Sequence, residues 1–519
     1  MNFMSKFLQR RPALSIFLFF FSLYAFFMGG HGYGGVGTSA YAVTRSIVLE
    51  RSVAISQTPW GKFGSDGQFY AQYGIGHSLY NIPFYLIGHW LTALSPALQA
   101  QYNRITMFAT LLGQPFVSAL SCVLLFVFCQ RLRYSYRHSL YCTFLYGLGT
   151  QAWMYAQLDF SEPILTFFLL QATYWLYVAE KSSDRATYSA CFLCGLFLGI
   201  ATSVKIVGAI VWRLFFGYLL SLASSKHISR WKMMASFSLP LMVFGIGMIG
   251  CYNFYRFGTP FETGYGNEFT SYVPDILRHF EENLIGLEGS IFLYSPVILL
   301  LFSGIARFYK EFTHFTLFIL GIILTFFLFY PFTTNELYYG PRYLLPILPY
   351  FLIIGAASFA NRNSFRKSPI IPLGTAVIIV LYIIGILQQL LGVLVNYHTY
   401  YWRIQYTMPI AAEALRSSAI GAKLLATPNL PHILGHLWLL KEAWLDLFAP
   451  GGLPLVGVNL LSDVTRQNSW IPYYGIDVWW CHPKFVAIGG VIFPLMVCIA
   501  AGSVLSFALY GLMRHKKVL

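Results

Sequence analysis

The chain has 519 residues, 57% of them hydrophobic and only 10% charged, with a formal net charge of +15. A soluble domain carries about 25% charged residues, so the composition excludes an ordinary soluble protein and points to an all-α polytopic membrane protein. The basic balance would suit a nucleic-acid partner, but its distribution along the chain, given below, argues against one.

Apolar runs close to the roughly 20 residues that cross a bilayer occur at 12–29, 104–130, 138–156, 160–179, 186–204, 206–224, 233–253, 289–306, 313–331, 343–360, 369–395 and 486–512. They predict about twelve transmembrane helices. Ala40-Tyr41-Ala42 has the spacing of a signal cleavage site but lies over ten residues past the first apolar run, so that run is read as a retained span. The segment Ile82–Leu94 is apolar too, but it is short and broken by Pro83 and His89, with Pro96 just beyond. It reads as an interfacial helix in the first outside loop.

Twelve spans from a basic N-terminus put alternate loops on opposite sides. The loops on the N-terminal side hold nineteen of the 34 basic residues and, among the 19 acidic ones, only Glu180, Asp184 and Glu311. Basic residues concentrate on the cytoplasmic side of multi-pass proteins. The charge therefore predicts orientation in a cytoplasmic membrane, with both termini inside, and no nucleic-acid partner. The outside face then owns 30–103, the turns at Gln157–Ser161 and Lys205, 254–288, 332–342 and the long stretch 396–485. The last is rich in Trp and Tyr and is expected to form a small cap. Residues 1–395 make the main transmembrane domain, and 486–519 supply the last helix and a basic tail. Seven of the eight cysteines lie in or beside spans, so no external disulfide framework is expected. No internal repeat and no metal-ligand spacing stands out.

The stretch from Gly61 to Tyr85 is polar, Gly-rich and aromatic between two apolar spans. Backbone of that kind at a membrane is tolerated where protein buries it or where it lines a wet cavity. Asp66, between Gly64 and Gly67, is either a general base reached closely by a ligand or the acid of an Asx turn. His77 and His89 read first as polar walls of the loop, with His77 a candidate acceptor contact. Asp159 and Glu162 stand where the third span meets the fourth, and Glu162-Pro163 has the form of a helix start. Both are also candidate acceptor contacts. Lys205 and Arg256 are candidate phosphate partners or interfacial anchors. Arg342 opens the tenth span after Gly340-Pro341, with Tyr338, Tyr339 and Tyr343 around it. A guanidinium at a helix start suits a phosphate, with Tyr339 beside it, although a snorkelling anchor has the same sequence. Arg213, inside the sixth span, needs a partner or water.

The order of several segments resembles the GT-C superfamily of lipid-carrier-dependent membrane glycosyltransferases, the class of protein O-mannosyltransferases and aminoarabinose transferases. They are Gly76-His-Ser-Leu-Tyr-Asn-Ile-Pro-Phe-Tyr-Leu-Ile-Gly88, Asn103-Arg-Ile-Thr, Ser203-Val-Lys205-Ile-Val-Gly, Asn253-Phe-Tyr-Arg-Phe-Gly-Thr-Pro260, Phe292-Leu-Tyr-Ser-Pro296 and Tyr339-Gly-Pro-Arg342. The similarity covers about residues 12–395. It implies transfer of a sugar from a polyprenyl-phosphate carrier to a lipid, glycan or protein acceptor at the outer membrane face. It also implies a catalytic carboxylate early in the first outside loop. The matching positions here are Gly37 and Thr38, before Tyr41-Ala42, which leaves Asp66 as the catalytic candidate in that loop. No cofactor is called for, and the part of a divalent metal stays open. A polyprenyl-linked glycan polymerase, or a non-catalytic transporter or scaffold, would show a similar outline.

Overall fold

The structure is a computed structural model that describes residues 11–226, 228–265, 276–286, 289–330, 339–358, 373–397, 432–437, 440, 476–481 and 492–514. Each of the twelve expected apolar segments coincides with a described helix or a run of short ones. In chain order these begin with α1 (Pro12–Phe27), α2 (Gly35–Glu50) and the hairpin β1 (Gly61–Phe63) and β2 (Phe69–Ala71). Then follow α3 (Ile75–Thr92), α4 (Tyr102–Arg131), α5 (Tyr136–Gly149), α6 (Glu162–Lys181) and α7 (Asp184–Val204). Later elements include α8 (Trp212–Ser225), α9 (Arg230–Phe257), α10 (Leu300–Glu311), α11 (Thr313–Phe329), α12 (Leu348–Gly355), α13 (Leu373–Leu394) and α14 (Ile492–Arg514). Six of the described helical stretches are by themselves long and apolar enough to cross a bilayer, so this is a multi-pass membrane protein. Several spans are broken rather than straight. A 3-10 turn, Ile206–Val211, precedes α8, and another, Arg342–Ile347, precedes α12. A π turn, Met242–Gly247, interrupts α9 just after Pro240, which removes a helix hydrogen-bond donor there.

One large apolar core runs through the bundle. Its outer surface leaves Leu317, Leu324 and Leu328 of α11, Ile379 and Ile383 of α13, and Leu495, Met496 and Ile499 of α14 exposed, a belt of the kind lipid covers. Small residues set the closest helix approaches. A Cβ at Gly195 would meet the Phe237 carbonyl, and one at Gly199 would press on the backbone of Gly245. This small-xxx-small pair brings α7 onto α9. Helix α3 starts at Ile75, seven residues before the expected Ile82, and runs through Pro83. Gly74 and Gly76 let its start lie against the backbone of Ser203 and Val204, and Gly88 lets its end lie on α4 at Thr106. The segment between the first two spans is therefore docked on the ends of later spans.

Most of 396–485, expected as a cap, lies outside the described residues. Its end, at 476–481, is tied to the first span: Trp479 N–H donates to the Met28 carbonyl at 2.8 Å, and the indole nitrogens of Trp479 and Trp480 donate to Ala25 and Phe26 carbonyls, each at 2.9 Å. Arg213 is exposed at the start of α8.

Candidate active site

Residues 149–166, between α5 and the first turns of α6, are buried without exception. Irregular backbone at such depth needs protein partners, and it has them. Gln151 N–H donates to Ser295 Oγ at 3.1 Å, and Gln151 Nε2 and Tyr155 Oη donate to the Tyr339 carbonyl at 2.9 and 3.1 Å. Gly340, at φ +72°, passes so close to Gln151 that a Cβ would not fit. These contacts fix the turn that carries Asp159 and Glu162.

Glu162 opens α6, followed by Pro163. Its Oε1 receives Lys205 Nζ at 2.6 Å and lies 3.6 Å from Arg342 Nε. Lys205 caps α7 in extended conformation, and Arg342 begins the 3-10 turn before α12. Three elements thus converge on one carboxylate oxygen. The Tyr343 ring supports both cations, 4.2 Å from Lys205 Nζ and 4.5 Å from the Arg342 guanidinium, and Phe160 faces the guanidinium at 4.5 Å. Tyr343 in turn stacks on Tyr330 at 4.8 Å. Burial drives the Lys205 ammonium down to about 8, with Glu162 opposing the fall and Arg342 adding to it.

Asp159 lies three residues earlier. Its Oδ1 accepts from Tyr33 N–H at 3.2 Å, and among the described residues its Oδ2 has no hydrogen-bond partner. Burial raises this carboxyl to about 7, against the Tyr33 N–H and nearby His31, which favour the charge. A Cβ on Gly37 would fall 2.0 Å from the Asp159 carboxyl. The space that a side chain at position 37 would need is therefore filled by a carboxylate from another loop.

A small cavity, with room for about one water molecule, opens beside Asp159. It is lined by Gly37, Tyr41, His77, Asn81, Thr110 and Gln114, with Met107 and Leu111 as apolar wall. Burial holds the His77 ring down to about 4, with Glu162 pulling the other way, so the imidazole is neutral.

The other residues picked out in the sequence sit elsewhere. Asp66 is exposed in the turn between β1 and β2, accepting from Gln68 N–H at 3.0 Å and Tyr70 Oη at 2.7 Å. Those bonds hold its carboxyl below the usual carboxylate range, the Tyr70 hydroxyl contributing most. The Asx-turn alternative describes this geometry, and the described contacts of Asp66 stay within its own hairpin. Arg256 is buried as a clamp, donating to the Ala71 carbonyl of β2 and to Asn253 Oδ1 and facing the Tyr252 ring at 3.8 Å. Tyr339 is a buried post whose hydroxyl donates to the Gln388 carbonyl at 2.7 Å. Tyr338 lies outside the described residues. Three further residues went unnoticed in the sequence. His31 Nε2 pairs with Asp477 Oδ1 at 2.7 Å, and Tyr33 Oη donates to Asp477 Oδ2 at 2.8 Å. Burial opposes a charge on His31, but the Asp477 carboxylate outweighs it and raises the ring's pKa. Nothing local in the sequence joins residues so far apart.

No known family profile matches this sequence, and no curated protein does. Solved structures resemble it in the course of the chain. ArnT from Cupriavidus metallidurans, in a structure bound to undecaprenyl phosphate, is 12% identical, with a TM-score of 0.47 over 96% of this chain and 88% of that one. Its apo structure, also 12% identical, gives a TM-score of 0.46 over 97% and 75%. The Archaeoglobus fulgidus oligosaccharyltransferase in apo form is 9% identical, with a TM-score of 0.41 over 87% and 59%. The reading of the site rests on its residues.

Proposed function

We propose that this protein is a membrane glycosyltransferase that moves a sugar from a polyprenyl-phosphate carrier to an acceptor at the outer face of the cytoplasmic membrane. The observation that carries the reading is the buried turn 159–162. It bears at one end an acid with an oxygen unpartnered among the described residues, and at the other a carboxylate that gathers Lys205 and Arg342. Sugar transfer from a lipid phosphate needs those two things together, a base for the acceptor and cationic groups where charge develops on the leaving phosphate.

In this reading Lys205 and Arg342 hold the carrier phosphate, the ammonium as a point charge and the guanidinium as a fork. Glu162 orders the two cations and keeps them from repelling each other. Asp159 is the base, in the place where the superfamily resemblance calls for a carboxylate from the first outside loop and where Gly37 leaves room. Asp66 instead shapes the hairpin that Arg256 clamps.

The test uses the full chain in lipid nanodiscs with labelled undecaprenyl-phosphate glucose and undecaprenyl-phosphate mannose as probes. Release of undecaprenyl phosphate should require Lys205 and Arg342. Lys205→Met and Arg342→Lys should each raise the donor KM about tenfold or more, the loss of one charge-assisted contact. A donor KM left unchanged by both variants would remove the phosphate seat.

A further inference from the structure

The cavity beside Asp159 collects more unsatisfied polar atoms than packing requires. Asp159, Gln114 and His77 all line it, and Asp159 Oδ2, Gln114 Oε1 and His77 Nδ1 have no hydrogen-bond partner among the described residues. Their side chains are 5%, 2% and 3% exposed, respectively. Leaving such a buried group unpaired costs about 1–3 kcal/mol, so three around one small space point to a ligand that completes them. Gln114 Nε2 and His77 Nε2 lie 3.3 Å apart. An amide NH2 can only donate, so in this arrangement His77 Nε2 accepts, and the neutral ring carries its proton on Nδ1. The cavity thus offers two acceptors, Asp159 Oδ2 and Gln114 Oε1, and one donor, His77 Nδ1–H.

We infer that this cavity seats the acceptor's nucleophile and that the nucleophile is an alcohol hydroxyl, not an amine or an amide nitrogen. The inference rests on the glycosyltransferase reading and names its acceptor class. A hydroxyl donates one hydrogen bond and accepts two. It can give its proton to Asp159 Oδ2 while accepting from His77 Nδ1–H, and Gln114 Oε1 remains for a neighbouring hydroxyl or a water. An ammonium has no lone pair, and a neutral amine has one, which if it accepts from His77 Nδ1–H is not left to attack the anomeric carbon. An amide nitrogen has its lone pair delocalised into the carbonyl, so it neither accepts from His77 nor attacks as it stands. In the transfer the hydroxyl oxygen forms its bond to the anomeric carbon. The bond from that carbon to the phosphate oxygen breaks, and its electron pair leaves with the polyprenyl phosphate. The hydroxyl proton passes to Asp159 Oδ2.

A glycan and a serine or threonine side chain offer the same chemistry, and the experiment separates them. The full chain in nanodiscs free of glycoside detergent receives labelled undecaprenyl-phosphate sugar and one of four acceptors. These are a short-chain alkyl glycoside, a serine-containing peptide, an asparagine-containing peptide lacking serine and threonine, and an alkylamine. Label should pass to the glycoside or to the serine peptide, whichever is the source, and to neither nitrogen acceptor. Gln114→Leu and His77→Phe should each raise the acceptor KM about tenfold, leaving the donor KM alone. His77→Asn, whose amide can donate from a similar place, should recover part of the loss. Transfer to the amine or to the asparagine peptide as good as to the alcohols would overturn the inference, as would an unchanged acceptor KM in Gln114→Leu. Equilibrium binding of the labelled glycoside and serine peptide is measured in parallel. Binding that Gln114→Leu abolishes, with no donor turnover, upholds the hydroxyl seat and removes the transferase reading. Absence of both binding and turnover removes both.

Discussion

Two short turns each carry an aspartate, and their surroundings give the two acids opposite characters. In the hairpin turn, Asp66 lies in water with both oxygens engaged by its own neighbours, Gln68 N–H and Tyr70 Oη. In the turn between α5 and α6, Asp159 is buried with one oxygen engaged by Tyr33 and the other unpartnered among the described residues. The hydrogen bonds lower the first carboxyl, whereas burial lifts the second to about 7. A general base works best with a pKa near the operating pH and a lone pair aimed at the proton it removes. Glycines around Asp66 advertise access, but the Tyr70 hydroxyl and the Gln68 N–H keep that acid a weak base.

The comparison breaks or holds most visibly on the two acids themselves. Asp159→Asn keeps the shape and removes the base, so kcat should fall by about 10²- to 10⁴-fold, while Asp66→Asn should stay within about threefold of the parent, as expected of a turn residue replaced by another turn former. Measured in the same nanodisc assay, equal losses or the reverse order would show that burial is the wrong criterion.

A smaller effect tests the reason Asp159 sits where it does. Gly37→Ala places a methyl group where the Asp159 carboxyl now lies. The acid must move, so kcat should fall about tenfold, as a loss of about 1.4 kcal/mol in positioning. Thermal unfolding should also register an overpacking cost of about 1–3 kcal/mol. Normal kcat in Gly37→Ala would mean that this contact does not position the acid.

The mildest test is the pH profile. In the proposed function Asp159 serves as base only when ionised, so kcat should rise as pH passes about 7. Lys205, proposed to hold the phosphate, would do so best when charged, so donor affinity should weaken as pH passes about 8. The two limbs leave an optimum between them, and the alkaline limb alone should vanish in Lys205→Met. A profile without an acidic limb in the parent protein would sharpen the question against Asp159.

Much of this site was within reach of the sequence as a set of names and out of reach as an arrangement. Asp159, Glu162, Lys205 and Arg342 all stand at span ends, where a polar residue in an apolar chain is conspicuous. What kept Asp159 and Glu162 from being weighed as the catalytic acid was the absence of any local sign of burial. Gln114, in the middle of α4, gave no sign at all, since a lone amide in an apolar run reads as a tolerated polar residue. The pair Gly195 and Gly199 was legible as a close-packing motif and passed unread.

The sequence by itself determined the membrane class, the order and approximate bounds of the apolar segments, and the one-sided basic charge. Those follow from properties summed over short windows, namely apolar length against bilayer thickness and charge per loop. Only the tertiary structure decided which acid is buried and which cations share a carboxylate. Lys205 and Glu162 are 43 residues apart in the chain and 2.6 Å apart in space, and Asp159 fits against Gly37 only because α2 passes over its turn. A carboxylate's base strength is set by what surrounds it, and in this protein those surroundings come from segments the local sequence does not connect.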